Sequence, residues 1–320
     1  MEETRKNYQL KFEGNGGEYF GILIVNWLLT LITLGIYYPW ARAKQLKYTY
    51  GVTSIDDNHF SFNGKGKEMF IGMLKFILFI VVPYLLLLLL IFLNPSSVLV
   101  MVSGIIVFYC AFIGLLPLAM HGSMRYRMSR TTLRGIRFGY RGNRGTLIKE
   151  FVKMFFLTLI TLGIYAAWME MKLRTYMTGN VRYGEVEGRF KGDGAHFFVL
   201  NLKGYLLSLI TLGIYMFWWQ KDLFAYSINN TSFHKDEQEI TMESTMTGGG
   251  LFGLQIVNLL ITIVTLGFGY AWVEMRTMKF YTENIKIEGD IDLASLTQTE
   301  EEYNNAFGED ALDFFDMDIF

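Results

Sequence analysis

Few side chains in this 320-residue chain are placed to do metal chemistry. Its histidines, His59, His121, His196 and His234, fall in four different predicted loops, and the chain has neither a His-x-x-His motif nor a His–Glu pair at metal-ligand spacing. The single cysteine, Cys110, lies inside an apolar run and excludes an intrachain disulfide. The sequence therefore predicts no metal site and no cofactor.

Carboxylates that could act in catalysis near a membrane surface are also few. Glu170 and Glu274 each follow a repeated tryptophan by two residues, but Arg42 and Gln220 hold that place in other copies of the repeat. A catalytic role shared by the copies would need the same chemistry in each. The sequence also lacks a phosphate-binding Gly-x-x-x-x-Gly-Lys-Ser/Thr motif and a Gly-x-Ser-x-Gly nucleophile elbow. We expect no enzymatic activity.

Composition places the chain in a membrane. Hydrophobic residues make up 52% of the chain and charged residues only 18%, whereas soluble domains carry about 25% charged residues. Apolar runs near the ~20 residues that cross a bilayer occur six times, at residues 20–38, 69–93, 98–120, 151–168, 197–219 and 251–273. We therefore predict an α-helical, multi-pass integral membrane protein with about six hydrophobic segments.

One unit recurs along the chain. The string LITLGIY occurs at residues 31–37, 159–165 and 209–215, and a looser copy occupies 263–269. A tryptophan follows each repeated glycine by five residues and a further aromatic follows it by eight, in the pairs Trp40 and Tyr48, Trp168 and Tyr176, Trp218 and Tyr226, and Trp272 and Phe280. We interpret the tryptophans as interfacial anchors. The Thr-Leu-Gly step is either a helix break at a left-handed glycine or a packing glycine.

Glycine-rich turns precede the apolar runs, and stretches of alternating polarity precede the turns, as in residues 186–190 before Gly192 and Gly194. Such alternation predicts short strands. We therefore expect repeated helix-break-helix units with short cytoplasmic β-hairpin and glycine-turn modules. The units lie near residues 8–50, 51–126, 127–176, 177–226 and 227–290, and the second replaces the break with a two-span hairpin.

A polar stripe recurs within four of the apolar runs. Its members are Asn26, Thr30, Thr33, Lys153, Thr158, Thr161, Lys203, Ser208, Thr211, Asn258, Thr262 and Thr265. Steps of three to five residues put each set on one helical face. These groups either form hydrogen bonds between helices and to their own backbone, or they provide a polar lining for a small solute.

Two segments of opposite charge offer contacts with partners. Residues 125–149 have no acidic member and carry Arg125, Arg127, Arg130, Arg134, Arg137, Arg141 and Arg144. This arginine cluster would contact anionic lipid headgroups, or it would only keep the loop cytoplasmic; we expect no nucleic-acid binding. Residues 291–320 are predicted to be an acidic, disordered tail, either solvated or docked on a basic protein partner or on the arginine cluster.

Two topologies fit the repeats. Six full spans would place successive units on opposite faces, whereas helix-break-helix segments that enter the membrane and return would keep all five glycine-turn modules on one face. Both arrangements put the two termini on the same side of the membrane. Charge favours the cytoplasmic side.

The recurring TLGIYxxW segment, the FxGxG turns and the two-span insertion resemble the bacterial YjgN-like family of uncharacterised multi-pass inner-membrane proteins, over about residues 8–290. Gly269, where other copies have tyrosine, departs from the pattern. The resemblance implies a bacterial inner membrane and gives no site residues to carry over. We expect a non-enzymatic protein that binds or passes a small solute or lipid; the alternative is a membrane scaffold with a cytoplasmic platform.

Overall fold

A computed structural model describes residues 5–300 and contains a single eleven-stranded antiparallel sheet. The strands are β1 (Lys6–Tyr8), β2 (Leu10–Phe12), β3 (Thr53–Ile55), β4 (Asn58–Phe62), β5 (Thr131–Leu133), β6 (Ile136–Tyr140), β7 (Val181–Tyr183), β8 (Val186–Phe190), β9 (Thr231–Lys235), β10 (Gln238–Ser244) and β11 (Ile285–Gly289). Their order in the sheet is β1-β11-β10-β9-β8-β7-β6-β5-β4-β3-β2. Strands adjacent in sequence therefore pair in space almost throughout.

Five helical hairpins leave the sheet and return to it. Their helices are α1 (Gly16–Ile32) and α2 (Tyr38–Gly51), α3 (Gly66–Leu93) and α4 (Val98–Arg130), α5 (Arg144–Ile160) and α6 (Ala166–Gly179), α7 (Gly194–Ile210) and α8 (Met216–Asn229), and α9 (Gly248–Val264) and α10 (Tyr270–Glu283). Each helix packs on the next along the chain, and α10 packs on α1. The hairpins thus form a ring on one side of the sheet, with their tips pointing away from it.

The sheet is nearly closed because its first and last members in sheet order are adjacent in sequence. Only Gln9 separates β1 from β2; its N–H donates to the Asp56 carboxylate at 2.9 Å, and the Asp56 N–H donates to its carbonyl at 2.9 Å. The Lys6 ammonium lies 2.6 Å from the same carboxylate. Burial raises the pKa of Asp56, but the hydrogen bonds from Lys6 and Gln9 outweigh it and hold the pKa below its ordinary value.

Each short hairpin turns through the repeated Thr-Leu-Gly step as a Schellman motif. In the first, the Gly35 N–H donates to Thr30 O at 2.7 Å and the Leu34 N–H to Leu31 O at 3.1 Å. Leu34 takes a left-handed φ of 50° and Gly35 a φ of 90°. The other three copies repeat these values at Leu162, Leu212 and Leu266 and at the glycines that follow them. A left-handed non-glycine residue costs roughly 1–2 kcal/mol. Each break nevertheless contains one, the leucine, in addition to its left-handed glycine.

The predicted fold class, an α-helical membrane protein with about six hydrophobic segments, is wrong. Of the helices described, only α3 and α4 are long and apolar enough to cross a membrane. The other four apolar runs are interrupted by the break, which ends each first helix after 17 residues. The predicted strands also do not form separate modules, because they hydrogen-bond into one sheet.

Candidate functional site

The repeated tryptophans join neighbouring units of the ring. Each covers the first glycine of the next unit's first helix: Trp40 covers Gly66, Trp168 covers Gly194, Trp218 covers Gly248, and Trp272 covers Gly16. A Cβ added at Gly16 would lie 2.4 Å from the Trp272 ring, so only glycine fits beneath it. Because this last pair joins the fifth unit to the first, the contact closes the ring. The tryptophans therefore pack neighbouring units together, a role that the sequence interpretation as interfacial anchors did not include.

The tyrosine eight positions after three of the four tryptophans holds the two ends of its hairpin together. The Tyr176 hydroxyl accepts from the Asn143 N–H at 2.7 Å and donates to the Asn143 carbonyl at 2.8 Å. Asn143 is the N-cap of α5, and its side chain accepts from the Thr146 N–H at 3.0 Å. The same pair of hydrogen bonds joins Tyr48 to Asn15 and Tyr226 to Asp193. Phe280, the fourth, has no hydroxyl; it packs near Gly250 and against Met246, Leu251 and Leu254.

The polar stripe lies largely within the hairpins. Asn26 is 1% exposed and donates to Ala41 O at 3.3 Å, and Asn258 donates to the Thr277 hydroxyl at 3.0 Å, so both join the two helices of one hairpin. Thr30 and Ser208 supply the carbonyls that accept the Gly35 and Gly213 N–H groups. Lys153 and Lys203 are exposed.

The remaining stripe members are threonines that bond to their own backbone. Thr158 and Thr262 donate to the carbonyl four residues earlier. Thr33, Thr161, Thr211 and Thr265 do the same and also accept from the N–H four residues later. Each of these four therefore connects the end of the first helix to the start of the second across the break.

A polar cleft opens between α2 and α10 over α1; we call it the α2–α10 cleft. Its volume is about 560 Å³, and its lining residues are Leu23, Trp27, Tyr38, Arg42, Gln45, Tyr270, Glu274 and Met278. The Tyr19 hydroxyl donates to the Glu274 carboxylate at 2.9 Å and so fixes its position from α1. Arg42 and Glu274 hold the same position in two copies of the repeat. In the structure they line the same cleft.

Glu170, another member of that repeat position, and Lys203, of the polar stripe, lie elsewhere. Glu170 forms an ion pair with Arg174 at 3.0 Å on the same helix, α6. Lys203, from the polar stripe, lines a second cleft of about 370 Å³ between α7 and α8, together with His196, Trp219 and Asp222. The structure therefore brings Arg42 and Glu274 of this repeat position to one cleft, whereas Glu170 pairs within its own helix.

The histidines lie in helices and strands rather than in the predicted loops. His121 is buried in α4 against Tyr140, with ring centroids 5.3 Å apart, and His59 lies in β4. In β9, His234 Nε2 lies 2.8 Å from the Ser232 hydroxyl; burial, with a smaller effect of nearby arginine, lowers the pKa of His234. Within residues 5–300, no three His, Cys, Asp or Glu side chains are grouped to hold a metal ion.

The arginine cluster runs from the end of α4 to the start of α5. Arg125, Arg127 and Arg130 lie in α4, Arg134 in the β5–β6 turn, Arg137 in β6, Arg141 just after β6, and Arg144 at the start of α5. Arg130 pairs with Glu68 at 3.0 Å and Arg141 with Glu300 at 2.7 Å. Acidic residues from outside 125–149 thus neutralise part of the cluster.

Residues 290–300, which we call the closing segment, cover the end of the sheet away from the helices. Ile291, Leu293 and Leu296 are at most 7% exposed and pack among the side chains inside the strand ring. Beyond them the Thr297 N–H donates to the Glu185 carboxylate at 3.2 Å, and hydrogen bonds from Thr297 hold the pKa of Glu185 below its ordinary value. The rest of the predicted tail, 301–320, lies outside the described residues.

The sequence gives no direct indication of most of the cleft. No repeated motif singles out Gln45, Tyr38 or Tyr270, although each lies within four residues of Arg42 or Glu274 on α2 or α10. The signal that could have found them is the repeat combined with closure of the ring, which places α10 of the last unit and α2 of the first against the same helix, α1. Closure of the ring was the unrecognised step.

Comparisons with known proteins agree with the sequence resemblance. A family model described as a bacterial protein of unknown function (DUF898) matches residues 7–190 and 219–314. The chain is similar to "Inner membrane protein YjgN" of Salmonella typhimurium, 29% identical over 56% of this chain and 42% of that protein, and of Escherichia coli K12, 32% identical over 42% and 31%. The chain thus matches less than half the length of these relatives, and no solved structure matches it.

The relatives' names place this chain among inner-membrane proteins. The family match covers most of the chain, including the long hairpin and the closing segment; the unmatched residues 191–218 contain α7 and the LITLGIY copy at 209–215. The YjgN-like resemblance is confirmed: the chain belongs to the bacterial DUF898 family.

Proposed function

We propose that this chain is a non-enzymatic, multi-pass inner-membrane protein that binds a small zwitterionic solute in the α2–α10 cleft. The observation that supports it most is the presence of Arg42 and Glu274 on facing walls of one cleft. The Arg42 guanidinium carries five N–H donors and the Glu274 carboxylate two acceptor oxygens, so a solute's carboxylate and ammonium can bind beside the contacts that these groups make within the protein. The aromatic rings of Trp27, Tyr38 and Tyr270 complete walls that suit a small organic cation or zwitterion.

The depth of the cleft supports a functional role. Arg42 and Glu274 each lie four residues after the start of their helix, about 6 Å from the tip end at 1.5 Å per residue. At the same distance from the tips, the first helices of the hairpins expose apolar side chains such as Leu28, Phe156 and Leu206. Ionisable side chains at an apolar level are costly, and in membrane proteins they mark pathways and binding sites.

The lining favours binding over chemistry. The described lining residues include no histidine, cysteine, serine or lysine, and their one carboxylate, Glu274, has no second carboxylate beside it in the lining. A volume of about 560 Å³ lies within the ~300–1,000 Å³ range of small-molecule pockets.

In the membrane, we propose that α3 and α4 cross the bilayer as one hairpin and that the sheet lies on the cytoplasmic side. Both helices leave the sheet and return to it, so β1 and β11 lie on the same side. This arrangement keeps the two ends of the described chain together and places the arginine cluster beside the cytoplasmic headgroups.

Retention of a radiolabelled amino-acid mixture by the protein in lipid nanodiscs tests the binding proposal. The double variant Arg42→Gln/Glu274→Gln removes both charges while leaving the net charge and side-chain size nearly unchanged. Lys47→Gln, at an exposed position of the same helix, is the matched control. We expect retention by the unmodified protein and by the control, and loss in the double variant. No retention by the unmodified protein, or equal retention by all three, would contradict the proposal.

A scaffold role is the second candidate, supported by the route of the closing segment. It crosses the strand ring and ends with Glu300 paired with Arg141 of the arginine cluster, and the sequence that follows, 301–320, is acidic. We propose that this acidic stretch recruits a basic protein. Crosslinking in cells with and without residues 301–320 tests it: a crosslinked protein lost on truncation supports the scaffold, and an unchanged pattern refutes it.

A further inference from the structure

The tips of the four short hairpins carry the most exposed apolar side chains of the short helices. At each tip a leucine in the break and the branched residue two positions before it are 74–94% exposed: Ile32 and Leu34, Ile160 and Leu162, Ile210 and Leu212, and Val264 and Leu266. No charged residue occurs in residues 29–39, 157–167, 207–217 or 261–271. Four equivalent patches of this kind mark an interaction surface.

The backbone at the tips gives a second, independent indication of the surroundings. Leu34 and its three equivalents occupy the left-handed C′ position, which glycine, or sometimes asparagine, usually fills in helices that end in this way. A leucine there accepts backbone strain and, in water, exposes its whole side chain as well. Such a choice, made four times, is favourable only where an apolar medium surrounds the leucine.

Helix lengths place the tips at a definite level. α1 and α3 begin at equivalent glycines, Gly16 and Gly66, each beneath a tryptophan of the preceding unit. With 17 and 28 residues they are about 25 Å and 42 Å long at 1.5 Å per residue. The short tips therefore stop about 17 Å before the end of α3. When the end of α3 lies at the far surface of a ~30 Å hydrocarbon core, a level 17 Å before that end is near the midplane.

We infer that the four short hairpin tips insert into the acyl chains of the leaflet nearest the sheet and end near the bilayer midplane, without crossing. The occupant of this surface is the lipid interior, continuous with the exposed apolar faces of α3 and α4. The inference rests on the proposed crossing by α3–α4, but not on solute binding. The Trp-covered glycines hold the hairpins at the level from which the tips reach the lipid.

Spin labels on single cysteines in a Cys110→Ala background test the inference in nanodiscs. Labels at Leu34, Leu162, Leu212 and Leu266 are compared with Val107, 68% exposed on α4, and with Glu237, exposed in the β9–β10 turn. Collision rates with oxygen and with a water-soluble nickel chelate report lipid and water. We expect all four tips to match Val107, with high oxygen and low nickel accessibility.

Each other result overturns the inference in a distinguishable way. Tips that match Glu237 lie in water. Tips shielded from both reagents pack against another copy of the chain rather than lipid. A Val107 label that is itself accessible to nickel means that α3–α4 does not cross the bilayer, which removes the basis of the inference while leaving the cleft proposal to its own binding test.

Discussion

Two glycines of α9 should respond in opposite directions to the same substitution. A Cβ at Gly248 would meet the Trp218 ring at 2.3, 2.5 and 2.7 Å, whereas a Cβ at Gly253 meets nothing within 4 Å. Gly253→Ala should therefore stabilise the protein by about 0.5–1 kcal/mol, the ordinary gain of alanine over glycine within a helix. Gly248→Ala gains less at the first helical position and must displace the indole by about 1 Å, which costs about 1–3 kcal/mol as overpacking.

The net expectation is destabilisation of about 1–2 kcal/mol for Gly248→Ala, opposite in sign to Gly253→Ala. Unfolding of detergent-solubilised protein by a denaturing detergent, followed by tryptophan fluorescence, measures the difference. The Trp218→Leu background tests the cause, because a smaller side chain should remove most of the effect of Gly248→Ala. Equal stabilisation by both alanines in the unmodified background would show that tryptophan does not join the units as described.

Three further changes test the hairpins, the sheet closure and the closing segment. Tyr176→Phe should lower the free energy of unfolding by about 0.5–1.5 kcal/mol through lost hydrogen bonds, and Phe280→Tyr should raise it in the unit that lacks them; denaturation midpoints decide. Asp56→Asn should cost at most about 1 kcal/mol at pH 7. Because the pKa of Asp56 is lowered in the folded state, the difference from the unmodified protein should shrink as pH falls below about 4 and vanish below the folded-state pKa, as measured by unfolding titrations. Ile291→Ala should cost about 2–5 kcal/mol, whereas Arg141→Ala, at an exposed ion pair, should cost under about 1 kcal/mol in the same assay.

The sequence predicted the parts of the unit better than their assembly. The strand at residues 186–190, the turn at Gly192 and the break at Gly213 all lie where local pattern placed them. The eleven-stranded sheet could not be derived, because it depends on hydrogen bonds between units, such as Tyr8 opposite Ile287. Hydropathy windows joined helices on either side of a break, since leucine and glycine at the break are as apolar as the helices they separate.

Composition also misassigned the closing segment to the acidic tail. Its side chains Ile291, Leu293 and Leu296 alternate with aspartate, serine and alanine, which is a weak pattern for either helix or strand. The segment is ordered by the cavity it fills rather than by its own propensity. Only closure of the strand ring creates that cavity, and closure is a non-local event.

Repetition itself distinguishes structure from function in this chain. The residues that recur almost unchanged, such as Trp168, Gly194, Thr161 and Tyr176, make joints, caps and turns that every unit needs. The positions two residues after each tryptophan carry arginine, glutamate or glutamine, so they are not required for the ring to form. A ring of equivalent units has no unique site until its copies differ. Binding in the α2–α10 cleft is therefore expected to depend on residues where the repeats diverge, and exchanging Arg42 for the glutamate of its equivalents should abolish binding.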